Sequence, residues 1–269
     1  AGGASLARCG APPGAGTIRV MDRSGPHPGT EPGPGASGSR PRRLRLLGDL
    51  LLIAGGIVLA YPFWSAGYAQ VQQTRLDSAY REQSAAFIQD ADVATGSTDR
   101  KVSDEVLIRR LAARYSRELD AGDPVGRLRI PRIGLDRLVQ QGVGGHLALD
   151  PDGDKALLRS GPVHYAITPL PGLGEPFAVA GHRTTYGAPF YRLDRLRKGD
   201  PILVETPYAR FRYAVVKTTT VDPTDVGVLR DRGYGLVLTT CTPPYSAEYR
   251  LIVWATLEKA RPLRAVRIR

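Results

Sequence analysis

The sequence predicts an all-β domain behind a single apolar helix. From Gly122 onward, short β-rich runs alternate with Gly and Pro turns. Few stretches between those runs could hold a crossover helix, which disfavours a parallel α/β sheet. Leu50–Tyr68, nineteen residues, carries no charged side chain, against the roughly 20 apolar residues needed to span hydrocarbon.

Residues 1–45 are rich in Gly, Pro and Ser and nearly lack core-forming side chains, so they read as a disordered basic head. Seven arginines against Asp22 and Glu31 give this head +5; the other 224 residues carry +6 of the total +11. So mild an excess is not the basic stripe of a nucleic-acid binder. Met21 is the only methionine, and a start there would make residues 1–20 upstream sequence.

The cluster Arg40, Arg42, Arg43 and Arg45 precedes the apolar run, and Tyr61, Trp64 and Tyr68 fall at its far end, where interfacial aromatics belong. No A-x-A cleavage site follows, which argues against a signal peptide. The expectation is a transmembrane helix over 46–68, with the basic flank cytoplasmic and everything beyond it outside the cell.

Residues 69–123 hold two helix-prone stretches, Gln70–Asp90 and Ser103–Leu119, separated by a break at Thr95-Gly96-Ser97-Thr98. Val106, Leu107, Leu111 and Tyr115 follow helical spacing. This segment is expected to be a stalk or linker that lifts the next domain off the membrane; the alternative is helices packed on that domain. Over 124–258, strands are expected at Arg127–Ile130, Leu135–Val139, Phe177–Ala180, Ile202–Glu205, Arg210–Val221, Leu236–Cys241 and Leu251–Thr256, with short helices at His146–Arg159 and Pro189–Leu196. Such a pattern builds a sandwich or a closed barrel. The basic tail, 259–269, is too short to span a bilayer.

Two cysteines, Cys9 and Cys241, are too few for a disulfide framework. Cys9 falls in the head. Cys241 ends the run Leu236-Val237-Leu238-Thr239-Thr240, and Thr242-Pro243-Pro244 then forces a turn. A free thiol has a pKa of about 8.5, so a nucleophilic cysteine needs a His or a cation beside it. His27, His146 and His164 read as head, loop and structural residues. His182 differs, because it follows the apolar run Phe177–Ala180 and Gly181 and so stands at a strand end. Arg250 lies nine residues after Cys241, across a Pro-rich turn that lets the next strand return beside it. A guanidinium there could steady a thiolate or an oxyanion.

Together these pieces resemble the sortases: Val179-Ala180-Gly181-His182-Arg183, Leu238-Thr239-Thr240-Cys241 and the downstream Arg250, in the order His, Cys, Arg. Leu128–Gly134 (LRIPRIG) and His182–Phe190 (HRTTYGAPF) look like the actinobacterial class E group. The resemblance covers about residues 124–258. It departs at Val237, where the family motif has Thr; four residues before the cysteine, that position suits packing better than chemistry.

The resemblance implies a closed eight-stranded β-barrel with short helices. It implies a transpeptidase in which Cys241 attacks the Thr–Gly bond of a Leu-x-x-Thr-Gly-like sorting signal, with Ala preferred at the second place. His182 is the implied general acid and base, Arg250 the implied oxyanion or thiolate partner, and Thr240 and Tyr186 the implied substrate contacts. The implied partners are surface-protein sorting signals, a lipid II or peptidoglycan stem-peptide amine, and the membrane. Neither cofactor nor metal is implied, and no nucleic acid.

The run Asp150-Pro151-Asp152-Gly153-Asp154 looks like part of a calcium loop but has Lys155 and Gly161 where an EF-hand needs Gly and Glu. Papain-like wall peptidases place Cys before His, the reverse of this chain, and L,D-transpeptidases carry His and Gly just before their Cys. A pilin-polymerising sortase or a non-catalytic anchored β-domain are the remaining alternatives; the first usually has a second membrane segment and a lid.

Overall fold

A computed structural model of the chain describes residues 42–95, 102–143, 154–174, 176–231 and 233–263. Most of the head, the Gly96–Thr98 part of the expected break, His146, most of the acidic run 150–154 and the end of the tail lie outside the described residues.

The apolar segment and the first helix-prone stretch form one helix, α1 (Arg42–Thr95), in place of a membrane helix followed by a separate stalk. It is long and apolar enough to cross a membrane, and its most apolar window is not buried against protein. Leu50–Ile53 and Ile57–Leu59 are all exposed. From residue 65 the exposure changes: Ser65, Ala69, Gln73, Tyr80 and Phe87 are buried. A stalk that lifted the domain away would keep these positions wet, so this stretch is a docked helix.

The second helix, α2 (Asp104–Glu118), starts where its sequence directs. Ser103 caps it by accepting the Val106 N–H at 3.4 Å, and Asp104 and Glu105 fill the first turn, where the helix dipole favours carboxylates. It buries Ile108, Ala112 and Tyr115, with Leu111 packed beside them. Val106, expected on the apolar face, is exposed. The buried positions 108, 112 and 115 follow i, i+4, i+7, which leaves Val106 on the wet side, and the Tyr115 hydroxyl donates to Pro124 O at 2.6 Å.

Eight strands follow: β1 (Pro124–Ile130), β2 (Leu135–Gln141), β3 (Val163–His164), β4 (Phe177–Ala180), β5 (Pro201–Glu205), β6 (Ala209–Val221), β7 (Leu236–Thr242) and β8 (Tyr249–Pro262). They close into a barrel in the order β1-β2-β3-β4-β7-β8-β6-β5. Pairing is antiparallel except for β2 with β3 and β4 with β7. β3 has only two residues, too few to show a period in sequence. Of the expected short helices, α3 (Lys155–Leu158) is the α-helical part among the described residues, and Pro189–Leu196 forms turns and a 3-10 turn at Leu193–Arg195.

Strand alternation sorts side chains into two layers. Leu128, Ile130, Phe177, Val179, Phe211, Tyr213, Leu236 and Leu238 fill the barrel. Ala178, Ala180, Val237, Ile252 and Trp254 face outward into a second cluster with Tyr165, Leu158, Val228 and Leu229. Val237 is fully buried opposite Trp254, a packing position.

Candidate active site

β7 and β8 run antiparallel with Cys241 opposite Arg250. Directly paired residues project to the same face. The preceding pairs on that face, Val237 with Trp254 and Thr239 with Ile252, belong to the outer layer, so Cys241 and Arg250 continue that layer at the barrel mouth. Cys241 is a free, partly exposed thiol. Arg250 is only 5% exposed, and its Nη1 donates to Ala247 O (2.8 Å) and Tyr249 O (3.2 Å). The β7–β8 turn thus clamps one edge of the guanidinium.

His182 arrives from the other side. β4 runs parallel to β7 up to the pair Ala180–Thr239, so His182 and Cys241 each stand two residues past the last pairing. Four hydrogen bonds hold the chain there. Gly181 N–H donates to Thr239 O at 3.1 Å, and the Thr240 hydroxyl donates to Gly181 O at 2.8 Å. Arg183 is buried and donates to Thr242 Oγ1 (3.1 Å) and Cys241 O (3.5 Å) while pairing with Asp194 at 3.2 Å. Gly181 is required by close approach, since a Cβ there would lie 2.6 Å from the buried ring of Phe190.

The His182 ring stacks on Tyr186, centroids 5.5 Å apart. Arg159 lies 5.8 Å over the other ring of this pair, that of Tyr186. Burial first, and the Arg159 charge second, hold the His182 pKa below its usual range. Tyr186 and Ala188 have positive φ, 50° and 43°, an uncommon conformation for residues with side chains and one that clusters at functional loops.

This arrangement delivers a thiol, an imidazole and a guanidinium to one mouth of one barrel. The sequence comparisons then decide its kinship: the family model described as a Sortase domain matches residues 128–258, nearly the whole barrel.

The chain belongs to the sortase family. It is 28% identical over 233 residues to sortase SrtE1 of Streptomyces coelicolor, and spans 81% of its own length but only 58% of that relative's. Sortase SrtE2 of the same organism is 28% identical over 235 residues, covering 79% of this chain and 81% of the relative. The solved sortase E of Streptomyces avermitilis is 36% identical, with 53% of this chain and 93% of that one covered and a TM-score of 0.44.

Against this frame of strands, the expected residues of the sortase site divide. His182, Cys241 and Arg250 converge on one mouth, and Tyr186 lies against His182. Thr240 does not face the mouth as a substrate contact would. It is 3% exposed, shares the face of Leu236 and Leu238, and uses its hydroxyl on Gly181. Alternation along β7 gives the reason, because a residue adjacent to Cys241 must point to the opposite face. Its place is structural: it fastens the loop that carries His182.

His164 is fully buried. Its ring nitrogens lie 2.9 Å from Gln141 Oε1 and 3.1 Å from Thr168 Oγ1, and burial depresses its pKa to about 3, so it is a neutral core histidine. Asp154, the described end of the acidic run, accepts the Val143 N–H at 2.7 Å.

Sequence reasoning missed Arg183, Arg159 and Tyr165. Tyr165 is buried with its hydroxyl 2.9 Å from Thr239 Oγ1. Burial pushes its pKa up to about 12, while Thr239 and the Arg250 charge pull it down and Cys241 pushes it up again, which places it within electrostatic reach of both site residues. No local pattern marks it. Arg183 was legible only as the residue after His182.

Proposed function

We propose that the chain is a membrane-anchored cysteine transpeptidase that cleaves a Leu-x-x-Thr-Gly-like sorting signal, with Ala favoured at the second place, and joins surface proteins to a cell-wall amine. The observation that carries this is the mouth itself: Cys241 opposite Arg250, with the His182 loop tied by Arg183 to the Cys241 carbonyl.

In this reading the Cys241 thiolate attacks the Thr carbonyl carbon. The C–S bond forms, the carbonyl electrons move onto oxygen, and the Arg250 guanidinium stabilises the oxyanion. Collapse breaks the C–N bond, and protonated His182 gives its proton to the leaving glycine amine. The thioester then accepts an amine from lipid II or a peptidoglycan stem peptide, His182 takes the proton lost from that amine, and the C–S bond breaks to return the thiolate. The net change is one amide exchanged for another. Because burial and Arg159 favour the neutral imidazole, the proton-donating form of His182 is a minority at neutral pH.

The basic cluster ahead of the apolar run, at the start of α1, supports a cytoplasmic N-terminus with the barrel outside.

The test is incubation of the protein with a peptide library and an amine acceptor. A product cut between Thr and Gly and joined to the amine is expected from the wild type, and none from Cys241→Ala. Substantial transfer by a folded Cys241→Ala protein would rule the mechanism out.

A further inference from the structure

We infer that the catalytic mouth rests on the surface of the bilayer, among anionic headgroups, rather than being held away from it. This rests on reading α1 as the membrane anchor.

The observation is the order in which α1 touches the barrel. Contacts begin inside the aromatic end of the apolar segment. Tyr61 and Tyr186 hydroxyls lie 3.5 Å apart, Ser65 is already buried, and the Tyr68 ring meets Tyr186 edge-on at 6.3 Å. Gln73 then bonds Leu138 and Ser160, Asp77 pairs with Arg127, and Tyr80 donates to Glu205 O at 3.0 Å.

The strand register fixes the direction of that path. The mouth is the end of β7 that carries Cys241, flanked by the end of β4 and the start of β8. Following the pairings around the barrel, the same end holds the end of β1 and the starts of β2 and β5. Glu205 is the last residue of β5, at the opposite end. So α1 meets the His182 loop first and the distal end later.

Between Tyr61 and Tyr68 a helix rises about 10 Å. The headgroup zone on each side of the hydrocarbon is about 5–8 Å thick. A loop touching both tyrosines is therefore at headgroup level, with no spacer between span and barrel. The rim suits that position. Arg132, Arg192, Arg197 and Lys198 are exposed, and the Arg132–Asp200 pair (3.8 Å) together with the Arg183–Asp194 pair holds their segments at the mouth end. Exposed cations at a membrane surface attract anionic lipid. A mouth in this plane meets substrates that are themselves confined to the membrane.

The full chain, with Cys9→Ser and Cys241→Ala, would carry one nitroxide label at a time on Val58→Cys, Arg192→Cys or Arg212→Cys, in nanodiscs containing phosphatidylglycerol. Collision with oxygen and with a water-soluble nickel chelate reports depth. Deep burial is expected at 58, an intermediate depth at 192 and bulk-water values at 212, on the distal part of β6. Water values at both 192 and 212 with a deep 58 would overturn the docked mouth and leave the anchor intact. A water value at 58 would overturn the anchor and the docked mouth together. Neither outcome bears on transpeptidation, because the labels need no turnover.

Discussion

At Arg250 the structure separates two roles that a cation can play. A guanidinium 5% exposed and clamped through Nη1 by two carbonyls is oriented as well as charged. Arg250→Lys keeps the charge but loses the planar fork. If directed donation to the oxyanion matters, Lys fails to rescue, and turnover drops about 100- to 1,000-fold, the cost of losing one oxyanion donor. Near-normal transfer by Arg250→Lys in a peptide assay would discard directed donation. Arg159 acts on His182 instead. Burial and this cation both lower the imidazole pKa, so Arg159→Gln should raise it. The limb of the kcat/KM profile on which imidazolium is lost should then move to higher pH; an unmoved limb would show that the charge does not reach His182. The primary cast was legible because each member stands at a strand end beside a turn. Arg159, Arg183 and Tyr165 were not, since only tertiary packing brings them to the site, and Thr240 was misread for want of strand parity.

Among the elements, α1 departs most from expectation. The apolar span was visible as an uncharged run, but the docked half hides its buried face, which includes a glutamine. β3 covers only Gln140 and Gln141 of β2, leaving the backbone of Leu138 open on that side. Gln73 closes it, donating to Leu138 O at 3.2 Å and accepting the Leu138 N–H at 2.9 Å. It also donates to Ser160 O at 2.9 Å, and Gly161 leaves room for its amide, which a Cβ would strike. Gln73→Ala strands a buried N–H, at a cost of about 1–3 kcal/mol. Thermal unfolding of the full chain in detergent should show a Tm lower by roughly 2–4 °C per kcal/mol for a domain of this size. An unchanged Tm would mean that this half of α1 is a loose stalk.

For the whole molecule, seven of the eight strands were legible from β-rich runs between Gly and Pro turns, while the closure of the barrel was legible only through the resemblance to the sortases, which implied it correctly. Runs of that kind suit a sandwich equally well, and closure depends on long-range pairs such as β1 with β5 that leave no local mark. The barrel order matters to function because it lays β4 and β7 side by side in parallel, which carries His182 and Cys241 off the same edge. In the proposed reaction this edge makes Cys241 an acyl carrier. Intact-mass measurement of the protein mixed with a Leu-Ala-x-Thr-Gly peptide, with no amine acceptor added, tests it most directly. The expected result is a gain equal to the peptide's acyl portion through Thr, mapped to Cys241, discharged by hydroxylamine and absent in Cys241→Ala. Peptide cleavage with no adduct on Cys241, or the same adduct in Cys241→Ala, would contradict it.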